Sequence, residues 1–198
     1  MKKIKGWWFG TTDKLLGYGD GRKIKIGATH KVRGDIVPCE HGLHLSPKIL
    51  DALSYSPGPI IYRVEGSGII IPHGNPVDKY ACSERTYLSG GIDISDTLRK
   101  FARLCALDVI DLWDAPDVVV EYLKTGNESI RAAARDAARA AARDAARDAA
   151  RDAARAAARD AARAAAWAVA WAAARDAALN KQNKRLTSMV NRRIKCTE

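Results

Sequence analysis

Three side chains that commonly bind metals stand close together in residues 39–44, which read CEHGLH. The thiol of Cys39 and the imidazoles of His41 and His44 have the spacing C-x-H-x-x-H, which supplies atoms that Zn²⁺ binds. No fourth ligand is evident, and the spacing is not that of a standard zinc finger. Leucines flank His44, so a hydrogen-bonded, half-buried histidine is the plainer interpretation. The sequence therefore predicts no metal site and keeps His44 as a ligand-binding candidate.

Acid–base chemistry has one carboxylate candidate. Glu84 lies in the stretch ERTYL at residues 84–88, near the end of the β-rich part of the chain. A general acid or base often works beside a second titratable group, but no second carboxylate stands at a readable spacing from Glu84. The catalytic signal is weak, and the sequence favours a binding protein over an enzyme.

Strands and one helix must position these side chains. Residues 17–22, GYGDGR, form a glycine-rich turn. Ser46 and Pro47 suit the cap and first turn of a helix over 48–55. Apolar runs and alternation predict strands at residues 3–10, 23–27, 32–37 and 60–65, with 68–71 continuing or pairing with the last. We predict a β-rich α+β domain over residues 1–94.

A helical extension is predicted at residues 95–126, where apolar residues recur every three or four positions. Pro116 begins a second helix over 117–124, and Gly126 ends it. We expect this extension to pack on the first domain. The next helix is capped by Thr125 in a capping box or by Asn127.

Residues 127–179 repeat a four-residue word, AARD or AARA. Alanine and arginine have high helix propensity, and the run contains no glycine or proline, so the repeat is predicted to be helical. Most of its aspartates stand three residues before an arginine, a spacing that favours ion pairs.

The period of the repeat favours self-association. Each four-residue word advances by roughly 40° around a helix of ~3.6 residues per turn, and a period longer than 3.6 favours right-handed supercoiling. One continuous helix would be roughly 75 Å long. Either it winds with a partner or it is cut into shorter helices that repack, and we predict a homo-oligomer. The oligomerisation and anion-binding candidates are Arg143, Arg147, Arg151, Arg155, Trp167 and Trp171.

The charge of the chain is +10 and is concentrated near its end. Residues 180–198 hold six basic residues against one acid and form a predicted basic tail. Such a tail attracts polyanions, above all nucleic acid, although solvation is the commoner role of a charged terminus. No window approaches the ~18–20 apolar residues of a membrane span, so a cytoplasmic protein is expected. The four cysteines are widely spaced, which favours free thiols.

Several segments together resemble an uncharacterised family of bacteriophages and bacteria, in which a small α+β domain precedes alanine runs with arginine or tryptophan. The family brings no biochemical activity with it. It implies a small accessory protein, outside the virion, that acts against host defence. The matching segments are C-x-x-G-L-H (39–44), ILDALSYSPG (49–58), ERTYL (84–88), FARLCALDVIDLWDAP (101–116) and YLKTGNESIRAAA (122–134).

Residues 42–46, GLHLS, with Ala52, Tyr55 and a following strand, are similar to the strand–helix–strand core of ADP-ribosyltransferases. That resemblance implies NAD as cofactor, Tyr55 at the border of the NAD pocket and Glu84 as the catalytic glutamate. The first-strand histidine or arginine of that family has no counterpart that can be assigned here.

The leading prediction is a non-catalytic accessory protein without a cofactor. Its α+β module recognises a host protein or a nucleotide-like anion, and its Ala/Arg segment oligomerises it and supplies positive potential. An ADP-ribosyltransferase-like enzyme and a nucleic-acid-binding protein are the alternatives. The ligand-binding candidates are His44, Tyr55, Arg63, Glu84 and Arg85.

Overall fold

The computed structural model describes residues 3–17, 19–156 and 164–195, with side chains outside 150–173. These residues form a mixed α+β fold, which confirms the predicted class. The strands are β1 (Ile4–Gly10), β2 (Thr29–Lys31), β3 (Leu43–Leu45), β4 (Ile60–His73) and β5 (Lys79–Asp93). The α-helices are α1 (Ile49–Ser54), α2 (Ser95–Leu107), α3 (Asp117–Thr125), α4 (Arg131–Ala156) and α5 (Ala164–Lys195).

The chain divides into two compact units. The first combines Met1–Thr97 with Gln182–Glu198, and the second is Leu98–Lys181. The sequence placed boundaries after residues 94, 126 and 179. The C-terminal end of α5 thus belongs to the same unit as the sheet, although about eighty residues of sequence separate them.

An antiparallel sheet with the order β1-β4-β5-β2 forms the first unit, and β3 pairs with β5 beyond this path. The long hairpin of β4 and β5 is its centre, and β4 continues through residues 68–71 past a register shift between Ser67 and Ile70. In β3, Leu43 and Leu45 are buried and flank the half-buried His44. This alternation follows from the two-residue period of a strand.

Apolar side chains of the sheet and of the loop between β1 and β2 form the core of the first unit. Burying one large apolar side chain contributes about 1.5–3 kcal/mol, so this cluster is the main source of stability for the sheet. Its buried members are Leu16, Ile24, Leu43, Leu45, Ile60, Tyr62, Val64, Cys82 and Tyr87.

Two predicted strands are wrong. Residues 23–27 form no strand, and Lys23 makes an isolated bridge to Leu15. In this stretch Ile24 is buried while its neighbours are exposed, so the alternation reflects one anchored side chain in a loop. The strand predicted at 32–37 lies earlier, at β2, where residues 29–31 pair with Thr86, Arg85 and Glu84.

The predicted helix at 48–55 is shorter, and its predicted cap is wrong. Ser46 is buried and pairs through its backbone with Trp7 on β1. Lys48 takes the N-cap position of α1 without a side-chain cap. The Leu50 amide donates instead to Asn183 Oδ1, at 3.2 Å, from the C-terminal end of α5. A residue 133 positions away satisfies one of the free amides of the helix start.

In the predicted helical extension, α2 begins and α3 begins and ends near the predicted positions, but α2 ends at Leu107 and a 3₁₀ turn follows at Ile110–Leu112, where the apolar spacing had predicted more helix. Gly126 ends α3 with φ 70°, in the left-handed region that glycine adopts without strain. Asn127, the alternative cap, accepts from the Ser129 amide at 3.0 Å. Thr125, the other predicted cap, donates its hydroxyl to the Glu121 carbonyl instead.

Helix α4 covers the first half of the Ala/Arg repeat, and α5 begins at Ala164. Residues 157–163 lie outside the described residues, so one unbroken helix over the repeat stays a prediction. Arg147 and Asp144 form the expected pair at 3.4 Å. Asp136 contacts the adjacent Arg135 and not the expected Arg139.

Candidate functional site

The C-terminal end of α5 packs against the first unit through an apolar stripe. Leu186, Val190 and Ile194 recur every four residues and are buried, with exposed fractions of 0%, 0% and 6%. Residues at this spacing share one side of a helix. The predicted basic tail is therefore a folded helix of the sheet unit over residues 182–195.

The opposite side of this helix carries cations and hydrogen-bond donors. We call it the basic face. Lys184, Arg192 and Lys195 are exposed on it, and they help to line a shallow groove. The residues that line the groove are Asn183, Lys184, Thr187, Ser188, Asn191, Arg192 and Lys195.

Within the part of the chain that the structure describes, no acidic side chain pairs with the cations of the basic face. The sequence contains no acid between Asp176 and Glu198. In the part of the chain that the structure describes, Lys184, Arg192 and Lys195 take part in no ion pair. Lysine, arginine, serine, threonine and asparagine side chains are the usual donors to nucleic-acid phosphates. The basic face therefore has the composition of a phosphate-binding surface.

A second polar group surrounds Cys39, near the turn between β4 and β5. We call it the thiol site: Cys39, His44, Tyr55, His73, Asp78 and Lys79. The exposed Cys39 thiol lies 3.7 Å from His73 Nε2, within hydrogen-bonding distance for sulfur. The Cys39 amide donates to His44 Nε2 at 3.2 Å. His44 Nε2 is then an acceptor, so the ring proton is on Nδ1.

Burial, with a further contribution from the charge of Lys79, lowers the pKa of His44 to about 4. His44 is thus neutral at pH 7. Tyr55 donates its hydroxyl to Asp78 Oδ2 at 2.6 Å, and this bond raises the pKa of Tyr55 to about 12. The Tyr55 phenol therefore stays protonated.

Lys79 is the buried cation of the thiol site. Its side chain is 6% exposed, and its ammonium lies 3.8 Å from the Tyr55 ring centroid. It makes no hydrogen bond or ion pair within the described residues. A ring face contributes about 0.5–2 kcal/mol to a nearby cation. Lys79 thus has an aromatic neighbour but no ion-pair partner among the described residues.

The set Cys39, His41 and His44 does not assemble as metal ligands. His41 Nε2 donates to the Arg33 carbonyl at 2.8 Å, so this ring nitrogen is engaged by the backbone. Among residues 3–17, 19–156 and 164–195, no group of three or more histidine, cysteine or acidic side chains is arranged to hold a metal ion.

Arg85, a ligand-binding candidate, lies in the core. It is 2% exposed, and it donates to the His44 carbonyl at 2.6 Å and to the Tyr87 hydroxyl at 2.7 Å. Its guanidinium lies 4.0 Å from the Trp8 ring centroid, and burial lowers the pKa of Arg85. These contacts hold strands together and leave little of the guanidinium for a ligand.

The other two candidates on the sheet are also engaged. The Arg63 guanidinium lies 4.7 Å from the Trp7 ring centroid, and burial lowers its pKa. Glu84 accepts from Lys31 at 2.7 Å and from Ser67 at 3.1 Å, and these bonds lower the pKa of Glu84.

The structure does not bring Tyr55 and Glu84 together. Tyr55 contacts Asp78 and Lys79 at the start of β5, whereas Glu84 lies five residues further along that strand. At about 3.3 Å per residue, the backbone of Glu84 is roughly 16 Å from that of Lys79, which the Tyr55 ring contacts. One NAD pocket bordered by both side chains finds no support in this geometry.

The candidates in the repeat are partly described. Arg143 is exposed on α4, and Arg147 is exposed and paired with Asp144. The side chains of Arg151, Arg155, Trp167 and Trp171 lie outside the described residues.

Two parts of these sites were not predicted from the sequence. Residues 180–198 were predicted to be a tail, although Leu186, Val190 and Ile194 have the spacing of a packed helix. His73, which lies 34 positions from Cys39, was not among the predicted site residues. No local pattern links those two residues, because strand pairing brings them together.

Within the described ranges, none of the helices has the length and apolar character needed to cross a bilayer. Cys39 and Cys82 are free thiols, as predicted, and Cys196 lies outside the described residues. Comparison of the chain with known protein families, with curated proteins and with solved structures finds no match.

Proposed function

We propose that this protein is a non-catalytic nucleic-acid-binding protein whose basic face binds backbone phosphates. The observation that carries the proposal is the folded state of residues 182–195, which are held against the sheet unit by Leu186, Val190 and Ile194. Packing of that stripe fixes the orientation of the opposite side of the helix. Lys184, Arg192 and Lys195 are thus presented on one surface before any ligand binds.

A preorganised surface binds more tightly than a loose tail with the same charge, because little chain entropy is lost on binding. The three cations make no ion pair with the described residues, and this adds to the effect, because no such pair has to break on binding. Ser188 and Asn191 lie between the cations and can donate hydrogen bonds to phosphate oxygens. These contacts read no base edges, so we expect affinity with little dependence on sequence.

The Ala/Arg repeat extends the positive potential in this proposal. Arg139 and Arg143 are exposed on α4 and attract a polyanion over a longer distance than the basic face alone. A long helix over the whole repeat and a homo-oligomer formed through it are further parts of the proposal. Oligomerisation would place several basic faces on one nucleic acid and raise the apparent affinity.

The role of an accessory protein in a phage-infected cell rests on the family resemblance alone. Nucleic-acid binding is compatible with it, since a counter-defence protein can act by covering nucleic acid.

The direct test uses the full chain and a fluorescent DNA duplex of mixed sequence. Anisotropy is measured from about 50 to 200 mM salt. Over this range, salt lowers the affinity of a protein that makes several phosphate contacts by orders of magnitude. We expect the logarithm of the affinity to fall linearly with the logarithm of the salt concentration. A duplex of unrelated sequence should give the same result. Absent binding, or binding that does not change with salt, would contradict the proposal.

A further inference from the structure

The thiol site is not used by the proposed function, and its groups are arranged for sulfur chemistry. We propose that Cys39 is a nucleophilic thiol, activated by His73, that exchanges with small carboxylate-bearing disulfides and so forms a modification site. The proposal stands on the geometry of the thiol site and is independent of nucleic-acid binding.

The first requirement is a base within reach of an accessible thiol. Cys39 is exposed, and its sulfur lies 3.7 Å from His73 Nε2. Thiolate is the nucleophilic form of cysteine, and a neighbouring imidazole is the usual group that generates it. The other histidine of the site, His44, is engaged by the Cys39 amide, which leaves His73 as the proton acceptor.

The engagement of the Cys39 amide also limits the chemistry. Acyl transfer at a cysteine needs hydrogen-bond donors aimed at a developing oxyanion. The amide of the nucleophile is a common donor, but here it is bonded to His44 Nε2 at 3.2 Å. Attack on a disulfide develops charge on the leaving sulfur instead and needs no oxyanion donor.

The Cys39 thiol, the His73 imidazole and the disulfide account for every atom and proton of the exchange reaction. His73 Nε2 accepts the thiol proton, and the Cys39 sulfur attacks one sulfur of the disulfide. The S–S bond breaks, and the released thiolate takes the proton from the His73 imidazolium. One thiol and one disulfide become a mixed disulfide on Cys39 and one free thiol, without any other oxidant.

An independent observation indicates what the co-reactant carries. Lys79 is nine-tenths buried and has no hydrogen-bond or ion-pair partner among the described residues. Its ammonium lies against Tyr55, and its charge contributes to lowering the pKa of His44, so it acts inside the thiol site. A carboxylate on the disulfide would give this ammonium an ion-pair partner, because Asp78, the acid of the thiol site, is bonded to Tyr55 and makes no ion pair with Lys79 among the described residues.

The experiment measures the rate at which full-length protein forms a mixed disulfide on Cys39 with glutathione disulfide at pH 7, read by peptide mass mapping. His73→Gln removes the base, and His41→Gln is the matched control because that ring bonds to the Arg33 carbonyl. An ordinary cysteine is only a few per cent ionised at pH 7. We therefore expect His73→Gln to slow the reaction about tenfold and His41→Gln to stay within about twofold.

Misfolding is separated from loss of the base by two readouts. Cys82 is fully buried, so its peptide is modified only if the unit opens. In His73→Gly, added imidazole should restore the rate, which a structural role for His73 would not permit. Equal rates in wild type and His73→Gln, or failure of imidazole to restore the His73→Gly rate while the Cys82 peptide stays unmodified, would overturn the assignment of His73.

A separate comparison tests whether the disulfide must carry a carboxylate. Glutathione disulfide is compared with cystamine, a cationic disulfide, in wild type and in Lys79→Met. Wild type should react faster with glutathione disulfide, and Lys79→Met should reduce that preference at least several-fold. A preference that is absent, or that the substitution leaves unchanged, would overturn the assignment of a carboxylate-bearing co-reactant.

Discussion

Tyr62 and Tyr87 pack edge to face with ring centroids 5.4 Å apart, yet their hydroxyl groups have opposite environments. The Tyr87 hydroxyl accepts from Arg85 at 2.7 Å and lies 3.3 Å from His30 Nδ1. The Tyr62 hydroxyl is buried without a partner in the described part of the chain. Two tyrosines in one core therefore differ in whether the hydroxyl stabilises the fold.

This difference predicts opposite effects of one substitution. Tyr87→Phe leaves a buried guanidinium N–H without an acceptor and should destabilise the sheet unit by about 1.5–3 kcal/mol. Tyr62→Phe removes an unsatisfied hydroxyl and should be neutral or stabilise by about 1 kcal/mol. Hydrogen exchange of β5 amides reports the free energy of opening. Equal destabilisation by both substitutions would contradict this view of the core.

His44 predicts a pH dependence of stability. Its folded pKa of about 4 lies below the ordinary value of 6.5, so the unfolded chain binds more protons between these values. Stability is fully present above pH 6.5 and falls as pH decreases toward 4, by about 2–3 kcal/mol in total. Burial lowers the pKa of His30 too, which adds a loss of the same sign.

The variant His44→Gln tests that assignment. Glutamine can still accept from the Cys39 amide but does not titrate, so the stability lost between pH 6.5 and 4 should decrease markedly. The measurement is hydrogen exchange or urea unfolding at several pH values across this window. A variant that keeps the full wild-type loss would show that another group is responsible.

Packing of the C-terminal helix predicts a contrast between two leucines of α5. Leu186 is fully buried in the first unit, so Leu186→Ala should destabilise it by about 2–5 kcal/mol. Leu179 is 44% exposed on the same helix, and Leu179→Ala should cost less than about 1 kcal/mol. Exchange protection of β4 and β5 amides distinguishes them. If both variants kept wild-type protection, residues 182–195 would not be part of the sheet unit.

The hydrogen bond that caps α1 predicts a smaller loss of stability for substitution of Asn183 on α5. Asn183→Ala removes the acceptor of the Leu50 amide and should cost about 1 kcal/mol. Asn183→Asp keeps a side-chain oxygen at that place and should retain most of the stability. Melting temperatures of the two variants compare them directly, and equal loss in both would argue against the cap.

Local patterns were sufficient where neighbouring residues determine the structure. β1, the long β4, α2 and α3 lie close to their predicted positions, because alternation, helical spacing and glycine or proline boundaries are properties of short segments. Residues 23–27 show the limit of such patterns. Their alternation was present, but their contacts are isolated: Lys23 bridges Leu15, and the Gly27 amide donates to the Tyr87 carbonyl of β5 at 2.8 Å, so no continuous ladder forms in this described stretch.

Long-range pairing explains what the sequence could not predict. Asn183 caps a helix near residue 50, and His73 reaches Cys39 through the β4–β5 turn, so neither contact leaves a local signal. The charge of the C-terminal segment was evident in the sequence, but its folded state depends on burial of Leu186, Val190 and Ile194. The four-residue spacing of these three side chains is typical of a packed helix and not of a tail.

Nucleic-acid binding by the basic face is tested most directly by comparing two full-length variants that each lose three positive charges. One replaces Lys184, Arg192 and Lys195 of the basic face by glutamine, and the other replaces Lys5, Lys23 and Lys25, which are exposed elsewhere in the first unit. The measurement is the slope of log affinity against log salt for a DNA duplex. Each phosphate contact contributes about 0.9 to that slope. We predict that the basic-face variant loses about 2–3 from the slope while the control variant keeps nearly the wild-type value. Equal slopes in the two variants would contradict the assignment of the basic face as the nucleic-acid-binding surface.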